Sequence, residues 1–128
     1  MASILVIEDD EFFQSFLEMV LSGDGHQVRL CGDGMSGIES ARQEPPDLIL
    51  CDMSMPKMTG FAVIRELKKL DILRDVPVIA LSAHDTSADL DEAFEAGAAN
   101  YVTKPVAVDD LVDAVTNALS GNLPPPGT

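Results

Sequence analysis

The sequence predicts an α/β fold in which a five-stranded parallel sheet carries helices on both faces. Five short apolar runs alternate with five longer amphipathic segments, and regular strand–helix alternation is the pattern of a parallel sheet. Most of these runs are apolar throughout rather than at every second position, as strands covered on both sides must be. The chain has 128 residues, the size of one domain.

The first run, Ser3 to Ile7, reads as a buried strand. Phe13, Phe16, Leu17, Val20 and Leu21 follow at the spacing of one helical face. Gly23 and Gly25 end that helix. His26 to Cys31 alternates polar and apolar residues, which suits a strand with one wet face at a sheet edge; His26 itself reads as exposed. Met35, Ile38 and Ala41 mark a second helix, closed by Pro45 and Pro46, before the buried strand Leu48 to Cys51. Phe61, Ile64, Leu67 and Leu70 carry a third helix, for which Thr59 is a candidate cap. Val76 to Ser82 is the fourth strand, with Pro77 near its start, where a missing donor is tolerated. Leu90, Ala93 and Phe94 mark a fourth helix, with Asp85 or Thr86 at its beginning and Gly97 at its end. Asn100 to Thr103 is a short fifth strand at the other edge. Leu111, Ala114, Val115 and Ala118 line the last helix. Residues 1–120 read as one domain and 121–128, uncharged and rich in Pro and Gly, as a tail or the start of a linker.

Composition excludes several functions. With 22 acidic and 8 basic side chains the net charge is −14, and a surface this acidic repels phosphate backbones and anionic membranes alike. No apolar run approaches the ~20 residues of a membrane span, and no basic region precedes the first apolar stretch as in a secretory signal. Two cysteines, Cys31 and Cys51, are too few for a disulfide framework, and a reduced, cytoplasmic compartment is the simplest reading.

Sites on parallel sheets form outside the carboxyl ends of the strands. Strand one is followed by Glu8, Asp9 and Asp10, strand three by Asp52; strand four ends in Ser82, and Lys104-Pro105 follows strand five. Taken singly, each has an ordinary explanation, since an Asp at a strand end is commonly a turn former or helix cap and a Lys-Pro pair a surface turn. Together they bring acids, a hydroxyl and an amine to one rim. Crowded carboxylates demand a counter-charge. An all-oxygen set suits Mg²⁺, and no His or Cys cluster competes for zinc or copper. A carboxylate can act as a nucleophile and form an aspartyl phosphate, with a lysine ammonium and a hydroxyl to meet the phosphoryl oxygens.

The stretches ILVIEDDE, PDLILCDMSMPKMTG, PVIALSAHD and GAANYVTKP, in this order and spacing, resemble the receiver domain of two-component response regulators, the chemotaxis-type flavodoxin-like fold, from about Ser3 to Leu119. That resemblance implies strand order 2-1-3-4-5. It implies Asp52 as phospho-acceptor; Asp9 as a direct Mg²⁺ ligand with Glu8 acting mostly through water; and the Ser54 backbone carbonyl completing the metal shell. It implies Lys104 as the phosphoryl-pairing lysine, Ser82 as the switch hydroxyl, Tyr101 as the switch aromatic, and a cis Lys104-Pro105 bond. Ser54 and His84 take positions that tune phosphate lifetime. The implied function is a phosphorylation-dependent switch in a phosphorelay, self-catalysed rather than a metabolic enzyme. A sensor histidine kinase or phosphotransfer protein supplies the phosphoryl group, and a downstream effector or fused output domain reads the helix 4–strand 5–helix 5 face.

Three other readings compete. A Mg²⁺-dependent phosphatase with an aspartyl nucleophile would place its Asp after the first strand in a D-x-D motif, whereas Asp52-Met53-Ser54 follows the third. Flavin or nucleotide binding needs a glycine- or hydroxyl-rich loop after strand one, where this chain has acids. A scaffold receiver that has lost phosphorylation would lack some of the residues named above, all of which are present. Met53, Met55 and Met58 read as loop packing or a docking surface. Cys51 reads as an inert buried thiol, and Asp109, Asp110 and Asp113 as a solvated helix start.

Overall fold

The computed structural model describes residues 2–83 and 86–121. Its elements run β1 (Ser3–Ile7), α1 (Glu11–Gly23), β2 (Gln27–Cys31), α2 (Gly34–Gln43), β3 (Leu48–Asp52), α3 (Gly60–Lys68), β4 (Val78–Ser82), α4 (Ser87–Ala96), β5 (Asn100–Thr103) and α5 (Val108–Ser120), with a 3₁₀ turn at Asp71–Leu73. Every paired strand is parallel, and the sheet order is β2-β1-β3-β4-β5. The alternating run and the short run are thus the two edges, as their patterns predict.

Period-two alternation divides the core. Ile4, Val6, Leu48, Leu50, Ile79 and Leu81 point to one face, where they meet Leu17 and Leu21 of α1 and Leu111 and Val115 of α5. Leu5, Ile7, Ile49, Cys51, Val78 and Ala80 point to the other, against Ala41 of α2, Val63, Ile64 and Leu67 of α3, and Ala93 of α4. Both faces are covered, so β1, β3 and β4 carry uninterrupted apolar runs. Each fully buried Leu or Ile contributes about 1.5–3 kcal/mol relative to exposure.

The caps are local. Thr59 accepts from the Ala62 N–H and Thr86 from the Asp89 N–H, as expected for a hydroxyl just ahead of a helix. Gly97 ends α4 at φ 121°. At α1 the cap is Asp10, which accepts from the Phe12 N–H, rather than Glu8 or Asp9; those two are thereby left to the rim.

The structure differs from the sequence pattern at three places. The fourth strand begins at Val78, so Val76 and Pro77 lie ahead of it rather than within it. The third helix stops at Lys68, and Leu70 lies beyond it at the head of the 3₁₀ turn, still packed against the α2–α4 side of the core. Its apolar spacing serves burial rather than helix. His26 is not exposed: its side chain is 12% accessible, Nδ1 accepts from the Ala2 N–H, and Nε2 faces Asp24 at 3.4 Å. Met53 and Met55 are buried and Met58 is half-buried, so all three serve packing. His84, Asp85 and the chain after Gly121 lie outside the described residues.

Candidate functional site

The carboxyl ends of β1, β3, β4 and β5 meet at one rim. Register puts Asp52 of β3 beside Leu81 of β4, and Ser82 beside Thr103 of β5. Two backbone bonds tie the loops together: Met53 N–H to the Leu81 carbonyl at 2.8 Å, and Lys104 N–H to the Ser82 carbonyl at 2.7 Å. The Lys104-Pro105 bond is cis.

Glu8, Asp9 and Asp52 place carboxylate oxygens within 4.8 Å of one another. Glu8 is fully buried, Asp52 is 3% exposed and Asp9 is open to solvent. Between the two buried acids stands Lys104, with Nζ 2.8 Å from Glu8 Oε1 and 3.5 Å from Asp52 Oδ1. The same ammonium lies over the Phe13 ring, 4.4 Å from its centroid. The Asp10 N–H donates to Glu8 Oε2 at 3.1 Å, and the Ser54 N–H to Asp52 Oδ1 at 3.2 Å. Ser82 is buried. Tyr101 is half-buried on β5, opposite Ala80, and packs against the α2–α4 side of the core.

Both members of the Glu8–Lys104 pair are shifted upward. Burial raises the Glu8 carboxyl from 4.5 to about 7, with the Asp52 charge adding to the rise, against the Lys104 and Asp10 hydrogen bonds that lower it. Burial pulls Lys104 down, but the Glu8 hydrogen bond and the charges of Asp52 and Glu8 outweigh it. Burial likewise pushes the Cys51 thiol far up, which keeps it a thiol rather than a thiolate.

The raised Glu8 carboxyl predicts a pH dependence. In metal-free buffer the folded chain holds the Glu8 proton up to about 7, while the unfolded chain releases it near 4.5. The folded state binds more protons across that window, so stability is full below it and falls as pH rises through it. Glu8→Gln carries no titrating proton and escapes that loss. It is expected to gain on the wild type by roughly 3 kcal/mol by about pH 8 and by little near pH 4.5, because each tenfold difference in proton affinity is worth ~1.4 kcal/mol and the raised Glu8 value already includes the ion pair with Lys104. Urea unfolding of both proteins with a chelator present measures the difference.

Three carboxylates at this spacing, two of them buried and with no sulfur or imidazole among them, fit a hard divalent cation that keeps part of its water. The geometry thus unites Glu8, Asp9, Asp52 and Lys104 directly, and joins Ser82 and Ser54 through backbone register and loop. Tyr101 lies on β5, with β4 between it and Asp52, and His84 is outside the described residues. Three residues at the rim have roles that the sequence does not single out. Phe13 falls within the core stripe of α1. Asp10 is one of three adjacent acids. Gly60, the first residue of α3, is neither at a turn nor at positive φ; a poor helix former at that place is the available hint of a close backbone approach.

Comparison with known proteins supplies the context. Residues 4–116 match the family described as the response regulator receiver domain. The protein PilH of Pseudomonas aeruginosa is 36% identical over 121 residues, covering 94% of this chain and 100% of PilH. The transcriptional regulatory protein AfsQ1 of Streptomyces coelicolor is 39% identical over 106 residues, covering 83% of this chain but 46% of AfsQ1. The chain spans about half the length, or less, of several transcriptional regulators that it matches. Among solved structures, the receiver domain of a Pseudomonas aeruginosa PAO1 sensor histidine kinase, described with a magnesium ion in its active-site cleft, superposes with a TM-score of 0.87 at 30% identity, covering 93% of this chain and 98% of that one. The chemotaxis protein CheY4 of Vibrio cholerae shares the fold with a TM-score of 0.89 at 23% identity, covering 92% and 98%.

Proposed function

This chain belongs to the response regulator receiver domain family, and from that premise we propose that Asp52 is the residue that takes the phosphoryl group. Receiver domains are the phosphorylation-dependent switches of two-component signalling; they are regarded as non-enzymatic, bind Mg²⁺ in the active site, and work with histidine kinases and effector domains. What supports Asp52 here is its placement: a nearly buried carboxylate at the rim, 3.5 Å from a lysine ammonium and within 4.8 Å of two further acids.

The step is a displacement at phosphorus. A carboxylate oxygen of Asp52 forms a bond to phosphorus as the bond from phosphorus to the donor, a phosphohistidine nitrogen, breaks. Lys104 moves its ammonium toward the new phosphoryl oxygens, exchanging a carboxylate partner for them. Ser82 offers its hydroxyl to another oxygen, and Tyr101 follows into the space that Ser82 leaves. This favours one of two pre-existing conformations, read at the face of α4, β5 and α5. A groove of about 790 Å³ runs along that face, lined in part by Tyr101, Val106 and Asp110. Water later attacks the acyl phosphate and restores the carboxylate. Ser54 and His84 lie two residues beyond Asp52 and Ser82, where they set the lifetime of the phosphoryl group. The chain turns over no other substrate.

Glu8, Asp9, Asp52 and the Ser54 carbonyl would hold Mg²⁺, which when bound neutralises the charge that develops during transfer. The donor is a sensor histidine kinase or phosphotransfer protein, and the recipient of the signal an effector protein or an output domain on the same chain. Nucleic acid is not contacted directly. Residues 1–120 form the receiver unit and 121–128 a tail or linker. Among the described residues no helix is long and apolar enough to cross a membrane, and the chain acts in the cytoplasm, where its two unpaired cysteines stay reduced.

The test is incubation with a small acyl phosphate or phosphoramidate, with and without Mg²⁺, read by intact mass. One phosphoryl group added only with Mg²⁺ is the expected result; none in either condition overturns the reading. The metal set has its own readout. Mg²⁺ at ~100 times its Kd is expected to stabilise the wild type by about 2.7 kcal/mol, seen as a rise in Tm, and Asp9→Ala should remove most of that rise.

A further inference from the structure

We propose that Phe13 is a positioning residue for Lys104, the face of its ring holding the ammonium between Glu8 and Asp52. The inference deepens the phosphoryl-acceptor reading and rests on it. Lysine is a point charge on a long flexible stem, so its placement must come from its surroundings. Three contacts define that placement here: Glu8 Oε1 at 2.8 Å, Asp52 Oδ1 at 3.5 Å, and the Phe13 centroid at 4.4 Å. The third lies well inside the ~6 Å within which a cation over an aromatic face is attracted.

The two carboxylates are altered by the chemistry and the ring is not. A phosphoryl group on Asp52 removes one partner of Lys104, and a divalent cation at the acids competes for the other. Phe13 stays, because it sits in the first turn of α1, a helix anchored by buried Leu17 and Leu21 and capped by Asp10. Its ring stacks on Phe16 with centroids 5.7 Å apart and planes 25° apart, which fixes the face presented to the ammonium. The lysine side chain is only 21% exposed, so water screens the attraction incompletely.

Phe13 also packs against the α1–α5 side of the core, and the experiment separates the two roles. Three variants are compared with the full wild-type chain: Phe13→Leu, which keeps apolar bulk and loses the ring; Phe13→Tyr, which keeps the ring face; and ring-trifluorinated phenylalanine at position 13, which keeps the shape and withdraws electron density from the face. Phosphorylation by a small acyl phosphate at saturating Mg²⁺, Mg²⁺ affinity, and the NMR shifts of the Lys104 ε-methylene protons are measured on each. In the wild type those protons are displaced upfield by the ring current. With Phe13→Leu the displacement disappears and the maximal phosphorylation rate falls about fivefold, equivalent to about 1 kcal/mol, while Mg²⁺ affinity holds. The fluorinated chain loses rate in the same way, and Phe13→Tyr keeps both rate and shift.

An unshifted Lys104 in the wild type overturns the proposal, as does a Phe13→Leu or fluorinated chain that phosphorylates at the wild-type rate. So does a variant in which Mg²⁺ affinity falls along with the rate, since that reports general damage to the rim. Failure of the wild type to take any phosphoryl group would sink the acceptor reading instead; the ring-current displacement, which needs no chemistry, would still decide whether Phe13 holds Lys104.

Discussion

Asp52→Asn is expected to take up no phosphoryl group from a small acyl phosphate, at any Mg²⁺ concentration, while folding as the wild type does. Asparagine keeps the shape of the side chain and can still accept the Ser54 N–H, but its amide is no nucleophile toward phosphorus. Intact mass after incubation reads the outcome, and a phosphorylated Asp52→Asn chain would move the acceptor elsewhere on the rim, with Asp9 the exposed alternative. Lys104→Ala is the companion variant. It leaves the nucleophile in place and removes the charge that meets the developing phosphoryl oxygens, so phosphorylation should slow by roughly 100-fold rather than vanish. A loss that is total in one variant and partial in the other separates the attacking group from the stabilising one.

Gly60→Ala is expected to be the most damaging single methyl group in the fold. A Cβ at Gly60 would stand 2.3 Å from the Asp52 backbone oxygen and 2.7 Å from Met53 Cα. Neither is the end of a flexible side chain, so the loop that follows β3 or the start of α3 must shift. Gly37 makes a useful contrast, because the nearest atoms to its new methyl all belong to the Ile7 side chain, at 2.5–3.0 Å, and none is backbone. Overpacking typically costs 1–3 kcal/mol; Gly60→Ala is expected at or above the upper end, about 3 kcal/mol, and Gly37→Ala near the lower end. Urea midpoints at unchanged m-value measure both. Phosphorylation should discriminate further, because the displaced backbone at Gly60 is the one that carries Asp52, whereas the nearest atoms at Gly37 belong to a side chain. Equal stability losses in the two variants would refute the distinction between backbone and side-chain clashes.

The layered core is legible because its signal is redundant. The three central strands, covered on both faces, leave uninterrupted apolar runs, and a residue or two misplaced at an end changes nothing about which runs exist. The edges follow from the exceptions, one strand alternating and one short. Thr59 and Thr86 are legible as caps because a hydroxyl ahead of an apolar period has a local job. Where several residues compete for one role the local signal fails: with Glu8, Asp9 and Asp10 in a row, only the three-dimensional path shows that Asp10 turns back to the helix while Glu8 goes inward. His26 is misleading in sequence because its partners, Ala2 and Asp24, give no pattern at the spacing of any regular element. Leu70 is misleading because burial and helicity share the same apolar period.

The rim is half legible. That acids and an amine converge there follows from topology, since parallel strands present all their carboxyl ends on one side. Which partner Lys104 takes does not follow. The sequence suggests an amine waiting for phosphate, whereas the structure holds it on Glu8 with Asp52 somewhat farther. Phe13 is invisible for a related reason. An aromatic residue at a core spacing is fully explained by the core, and its second contact, through space to a residue near the other end of the chain, leaves no trace in the helix that carries it.

That separation has a consequence for how the protein is made. Glu8 and Lys104 lie 96 positions apart, so the buried carboxylate meets its counter-charge only after β5 and the residue that follows it have been made. During synthesis β1, β2 and β3 can associate as they emerge, but the central strands then close over two acids with no cation beside them, an arrangement that resists burial until β5 docks. Assembly of the rim therefore waits on β5, and a chain stalled before Lys104 lacks the ammonium that meets the buried Glu8.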